Sequence, residues 1–138
     1  MLESRAMDDL GLLSASELAR RIRERRLTSR EAVEHHIAAI ERVNPRLNAV
    51  VATRFAEARA EADAADAQVS RAQRESLPPF HGVPCTIKES FAMRGMPHTA
   101  GMVPRRGRVA EADAIAVTRM RSAGAIPCLL YTSDAADE

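Results

Sequence analysis

Lysine is almost missing from this chain. Of the 20 basic residues in 138, one is lysine, Lys88, and all the others are arginine. Tryptophan is absent and aromatic residues make up 3%, which leaves little material for the stacking platforms that grip single-stranded nucleic acid. A net charge of +1 gives no global attraction to polyanions or anionic membranes. No apolar run reaches the roughly 18 residues a membrane-spanning helix needs, and Met1–Arg5 lacks the charged-then-apolar layout of a signal peptide. The two cysteines, Cys85 and Cys128, stand far apart without metal-ligand spacing, so a reduced cytoplasmic setting is expected. The six glycines are scattered and form no phosphate-cradling loop.

What the chain does have is alanine. The apolar fraction is 46%, but alanine supplies much of it and buries little area per residue. A thin core follows, and the chain reads as part of a larger fold, one domain in length. Ser14-Ala15-Ser16-Glu17 and Thr28-Ser29-Arg30-Glu31 have the form of capping boxes. They predict helices from about Ser14 to Arg26 and from Thr28 until Asn44-Pro45 stops the second. Residues 47–51 read as a short extended or turn segment. Phe55, Ala58, Ala62, Ala65 and Val69 step by three and four, predicting a long helix over 53–74 with a narrow apolar stripe.

Gly82 to Lys88 reads as a strand, with Val83, Cys85 and Ile87 on one face and Thr86 and Lys88 on the other. Pro84 places it at an edge or a strand start. A Gly/Pro/Met-rich loop follows to Arg108. A helix over 114–122 is expected next, capped by Asp113 and closed by Gly124, and then a strand over 125–130. Strand, helix, strand in this order predicts a parallel βαβ crossover.

Few side chains in this pattern suggest chemistry. Arg20, Arg21, Arg23, Arg25 and Arg26 lie on several faces of one helix beside Glu17 and Glu24, the pattern of a solvated surface rather than a nucleic-acid patch. His35 and His36 are adjacent on a helix and diverge; His81 and Cys85 have helical ligand spacing in a segment that is not helical. No metal site is expected. Cys85 is three residues from Lys88 along a strand, on the opposite face, so the two do not form a nucleophile–base pair and Cys85 is structural. Lys88 itself has two readings: a lysine at a strand end reaching for water, or a base, a role arginine cannot fill because it does not deprotonate in proteins.

A family pattern separates the two. Gly82-Val83-Pro84-Cys85-Thr86-Ile87-Lys88-Glu89 resembles the catalytic-lysine segment of the amidase signature family. Gly95-Met96-Pro97-His98-Thr99-Ala100-Gly101 is similar to its G-x-P-T-T-x-G loop. Ala112-Asp113-Ala114, Val117, Met120 and Ala123-Gly124-Ala125-Ile126 are similar to its A-D-A-x-x-V-x-x-L-x-x-A-G-A-I run. Ile40 to Ala49, with Asn44-Pro45 and Asn48-Ala49, resembles the I-x-x-x-N-P-x-x-N-A near its start. The matches fall in order between Leu13 and Ile126.

The resemblance implies an α/β fold, a mixed sheet flanked by helices, of which this chain would supply the N-terminal helices and first strands. It implies a Lys–cis-Ser–Ser triad in which Lys88 is the base for hydrolysing the C–N bond of a small carboxamide, without metal or organic cofactor. A free lysine titrates near about 10.4, whereas a base working at neutral pH wants roughly 7 to 8. Burial against apolar neighbours is able to close such a gap.

Three positions depart from the family. Glu89 stands where Asp is usual, and His98 replaces a loop Thr. After Ile126 the family continues to G-K-[ST]-N and later to G-G-S-S-G-G, the loop carrying both serines; this sequence has neither. Ser90, Ser122 and Ser133 lack the flanking glycines of an oxyanion loop. The expected division is therefore 1–127 as the N-terminal part of an amidase domain and 128–138 as an unrelated tail of cloning or frameshift origin, with a genuine short product as the alternative. The 138 residues are expected to be inactive alone. Two other functions stay open: the A subunit of a glutamyl-tRNA amidotransferase, and a non-catalytic helical binding module.

Overall fold

The structure is a computed structural model and describes residues 10–71 and 74–132. Its first helix, α1, spans Ala15–Arg23. The Ser14 hydroxyl accepts the Glu17 amide at 3.2 Å, but the Glu17 carboxylate turns to Arg20 and Arg21 instead of closing the box. Helix α2, Ser29–Leu47, has the complete box: Glu31 N–H donates to Thr28 Oγ1 at 3.0 Å, and Thr28 N–H donates to the Glu31 carboxylate at 2.8 Å.

Asn44-Pro45 does not stop α2, contrary to the expectation from sequence. Pro45 sits in the last turn, where its missing N–H forfeits a single helical bond. The helix ends at Asn48, which takes a left-handed φ of 50° and donates to Asn44 O at 2.7 Å. The Asn44 side chain then accepts Val50 N–H at 2.8 Å and starts strand β1, Val50–Thr53. Helix α3 consequently begins later than predicted and spans Phe55–Arg71.

Strand β2 is Pro84–Lys88, helix α4 is Ile115–Ser122 and strand β3 is Ile126–Tyr131. The sheet order is β1-β3-β2, with β2 parallel and β1 antiparallel to β3. The βαβ crossover is thus present, and Pro84 opens an edge strand. Asp113 does not cap α4: the N-cap is Ala114, and the Asp113 carboxylate accepts Arg94 N–H at 2.8 Å and lies 3.0 Å from Arg121. Gly124 does close α4. At φ +91° it donates to Arg121 O, and Ala125 N–H reaches Met120 O, the paired bonds of a Schellman end.

Central β3 is buried over five successive residues because elements cover both of its faces. On one face Val33 and Ile37 of α2 and Ala58, Ala62 and Ala65 of α3 meet Ile126 and Cys128. On the other, Met93 and Val117 meet Ile87 and Leu130. The alanine stripe of α3 lies where it was expected, and its small side chains let α3 approach the sheet closely. Cys85 and Ile87 share the second face, but Val83 belongs with Leu18 and Ile22 of α1.

The expected boundary between 127 and 128 runs through the middle of β3. Cys128, Leu129 and Leu130 are buried, and Thr132 N–H still donates to Ala49 O at 2.9 Å. A strand flanked on both sides continues pairing for as long as its neighbours offer partners, so Cys128–Tyr131 are integral to the sheet. Residues 133–138 lie outside the described residues.

Candidate functional site

Lys88 ends β2, paired in register with Tyr131 at the end of β3. It therefore stands at the carboxyl edge of the parallel pair, the edge at which open α/β sheets bind ligands. The side chain is half-buried and, by strand alternation, lies on the face opposite Ile87. Glu89 N–H extends the ladder by donating to Tyr131 O at 2.8 Å, and Phe91 N–H donates to Lys88 O at 2.9 Å. Both bonds hold the backbone around the lysine.

Beyond this edge lies a cleft of about 250 Å³ lined by Val51, Glu89, Thr99, Ala100, Gly101 and Thr132, with Pro97. Its wall is the loop singled out by sequence over 95–101. Glu89 is buried, and its carboxylate accepts Thr99 N–H, Thr99 Oγ1 at 2.9 Å and Ala100 N–H at 2.7 Å. His98, the departure from the family's threonine, donates from Nε2 to Ser90 O at 3.2 Å, so this ring tethers the loop to the turn after β2. From sequence Glu89 reads only as an acid standing where Asp is usual, directly after the lysine, and nothing else there signals this role.

Of the serines weighed from sequence, Ser90 and Ser122 lie among the described residues. Ser122 ends α4 just before β3 begins, at the end of the sheet remote from Lys88. Ser90 is exposed in the turn after β2, and Ser133 lies outside the described residues. The other candidates are also separated from Lys88. Cys85 is in register with Pro127, back toward the start of β2. His81 is buried with Nε2 donating to Ala65 O at 2.9 Å, and His36 donates from Nδ1 to Ala32 O at 2.7 Å. Among the described residues no three His, Cys, Asp or Glu side chains converge as a metal would require, and no helix is long and apolar enough to cross a membrane.

The arginine cluster of α1 turns inward more than the sequence suggested. Arg20 pairs with Glu17 and Glu24, and Arg21 with Glu17. Arg23 donates to Pro78 O at 3.0 Å and Arg25 to Val69 O at 2.9 Å, so the helix is stitched to the segments that pack beside it. Arg54 plays a similar part at the sheet, donating to Pro127 O and to Glu61.

Burial pushes the Cys85 thiol up to about 11 and the Cys128 thiol up to about 12. Neither thiol is a nucleophile at neutral pH, since the thiolate is the reactive form. Native protein at pH 8 is expected to take up no iodoacetamide in the time that urea-unfolded protein is labelled at both cysteines; stoichiometric native labelling would contradict this. The fold favours the neutral thiols, so their contribution to stability is complete below the unfolded thiol's range near about 8.5. It is lost as pH rises toward 11 and 12.

With this geometry in place, comparison with known proteins is informative. The family model for Amidase matches residues 31–129. Human fatty-acid amide hydrolase 2 is 40% identical over 125 residues, covering 87% of this chain and 24% of its own. The A subunit of the glutamyl-tRNA(Gln) amidotransferase of Bdellovibrio bacteriovorus is 34% identical over 118 residues, 86% of this chain and 24% of its own. A crystal structure of a bacterial aryl acylamidase of the amidase signature family superposes with a TM-score of 0.78 at 27% identity, over 88% of this chain and 25% of that one. The chain thus spans about a quarter of the length of the curated relatives it matches.

Proposed function

From the premise that this chain belongs to the amidase signature family, we propose that it is the N-terminal portion of an amidase and that Lys88 is the base of its active site. The observation that carries the proposal is the position of the chain's one lysine, half-buried at the carboxyl edge of the parallel β2–β3 pair and followed directly by Glu89, which lines a cleft. In the reaction, Lys88 takes a proton through a bridging serine from a nucleophilic serine. That serine attacks the amide carbonyl carbon, the C–N bond breaks as the amine leaves with the returned proton, and water then releases the acid from the acyl-serine.

Both serines would lie on a Gly/Ser-rich loop that these 138 residues do not contain. On this reading the family's part runs through strand β3, and the 138-residue chain alone does not hydrolyse amides. The substrate is a small carboxamide, and no metal or organic cofactor takes part.

A second reading, transfer of ammonia to a charged tRNA, draws support from the similarity to the glutamyl-tRNA(Gln) amidotransferase. Ammonia release distinguishes the two. The full-length protein incubated with simple carboxamides is expected to release ammonia or amine without tRNA or partner proteins. Release that requires glutamyl-tRNA(Gln) would favour the transferase, and hydrolysis by the 138-residue chain alone would overturn the division of labour proposed here.

A further inference from the structure

The loop over Thr99–Gly101 has an unusual backbone for a cleft wall. Ala100 takes a left-handed φ of 50° and Gly101 a φ of 70°, a conformation that a residue with a Cβ adopts at a cost. Three successive amides are taken up by protein acceptors. Thr99 and Ala100 donate to the Glu89 carboxylate, and Gly101 donates to Thr99 Oγ1 at 3.2 Å, while that hydroxyl donates to Glu89 at 2.9 Å. None of these amides is left over to stabilise an oxyanion. A Cβ built on Gly101 would meet nothing within 4 Å, so open space lies beside the loop there.

We infer that Glu89 is a positioning residue: by clasping Thr99 and Ala100, its carboxylate sets the shape of the cleft wall against which the substrate lies. The clasp is anchored at the Glu89 end. Glu89 is fixed through its own N–H to Tyr131 O, one residue after Lys88, and a carboxylate accepting several N–H and O–H donors makes charge-assisted bonds that a neutral amide does not match. The wall is therefore indexed to the lysine through one residue of backbone. The inference rests on Lys88 being the base, because only then is the neighbouring cleft the place where substrate binds.

The test uses the full-length protein with Glu89→Gln, Glu89→Asp and Thr99→Val, read by amide hydrogen exchange at Thr99 and Ala100 and by steady-state kinetics on one carboxamide. Glu89→Gln is expected to speed exchange at both amides by about tenfold or more and to raise KM by about tenfold with a smaller change in kcat, the pattern of lost binding rather than lost chemistry. Glu89→Asp recovers part of both effects, because the charge remains.

Thr99→Val keeps the carboxylate and its two backbone donors, and is expected to raise KM by about threefold. It decides the matter should Glu89→Gln fail to fold: an unchanged KM and unchanged exchange in Thr99→Val would then overturn the inference. Unchanged exchange in a folded Glu89→Gln overturns the clasp. Faster exchange with KM and kcat both within about twofold of wild type overturns the positioning role. Full activity of a Lys88 variant would instead remove the proposed function and leave the exchange result standing.

Discussion

Lys88→Arg in the full-length enzyme is expected to lower kcat by about 10²- to 10⁴-fold, the range a positioned base contributes, while the melting temperature stays near that of wild type. The substitution preserves positive charge and a long stem, so any role Lys88 has as a surface cation survives it. What it removes is the ability to be neutral, since the guanidinium does not deprotonate in a protein. The side chain is half-buried at a strand end instead of locked in the core, so the fold tolerates the larger head group. Near-wild-type turnover of Lys88→Arg, measured with substrate saturating, would remove Lys88 from the chemistry.

The second large effect is on stability. Gly124→Ala is expected to cost more than about 3 kcal/mol, combining left-handed backbone strain with overpacking. Gly124 has a φ of +91°, and a Cβ there would stand 2.7 Å from His81 Cα and 2.9 Å from His81 N. Those atoms are backbone and cannot swing aside. The same close approach lets Gly82 N–H donate to Gly124 O at 2.9 Å and Phe80 N–H to Ala123 O at 2.8 Å, which sets β2 beside the end of α4 and brings β2 and β3 into parallel register. Gly95→Ala is the control: its φ is +79°, but nothing lies within 4 Å of the added Cβ, so strain alone is expected, about 1 to 2 kcal/mol. Urea unfolding of the two variants checks the difference, and equal losses would show that the clash relaxes.

The two sites differ in how readable they are from sequence, and the reason is locality. Thr28 and Glu31 form a capping box within four residues, and Phe55 to Val69 form a stripe with a helical period, so both α2 and α3 were predictable. The βαβ order around Lys88 was legible because β2, α4 and β3 follow one another with Gly124 at the joint. Strand β1 was read only as an extended or turn segment, since what makes it a strand is pairing with Leu129–Tyr131, some 80 residues away. Asp113 looks like a cap for α4 by spacing, yet Arg94 and Arg121 compete successfully for its carboxylate.

Pro45 stays helical because Asn44 and Asn48 complete the turn around it. At the site, Lys88 stood out by residue type alone, in a chain that otherwise writes arginine. The clasp of Glu89 on Thr99 and Ala100 is a contact across ten or eleven residues of loop and left no periodic trace.

The central claim is that Lys88 accepts the proton, and rescue of Lys88→Ala by added small amines tests it most directly. Turnover of the full-length variant on a carboxamide should be far below wild type, return in proportion to the concentration of free amine, and shift its pH dependence with the basicity of the amine supplied, as a Brønsted base does. A Lys88→Ala enzyme that turns over as fast as wild type with no amine present, on the same pH profile, would contradict it.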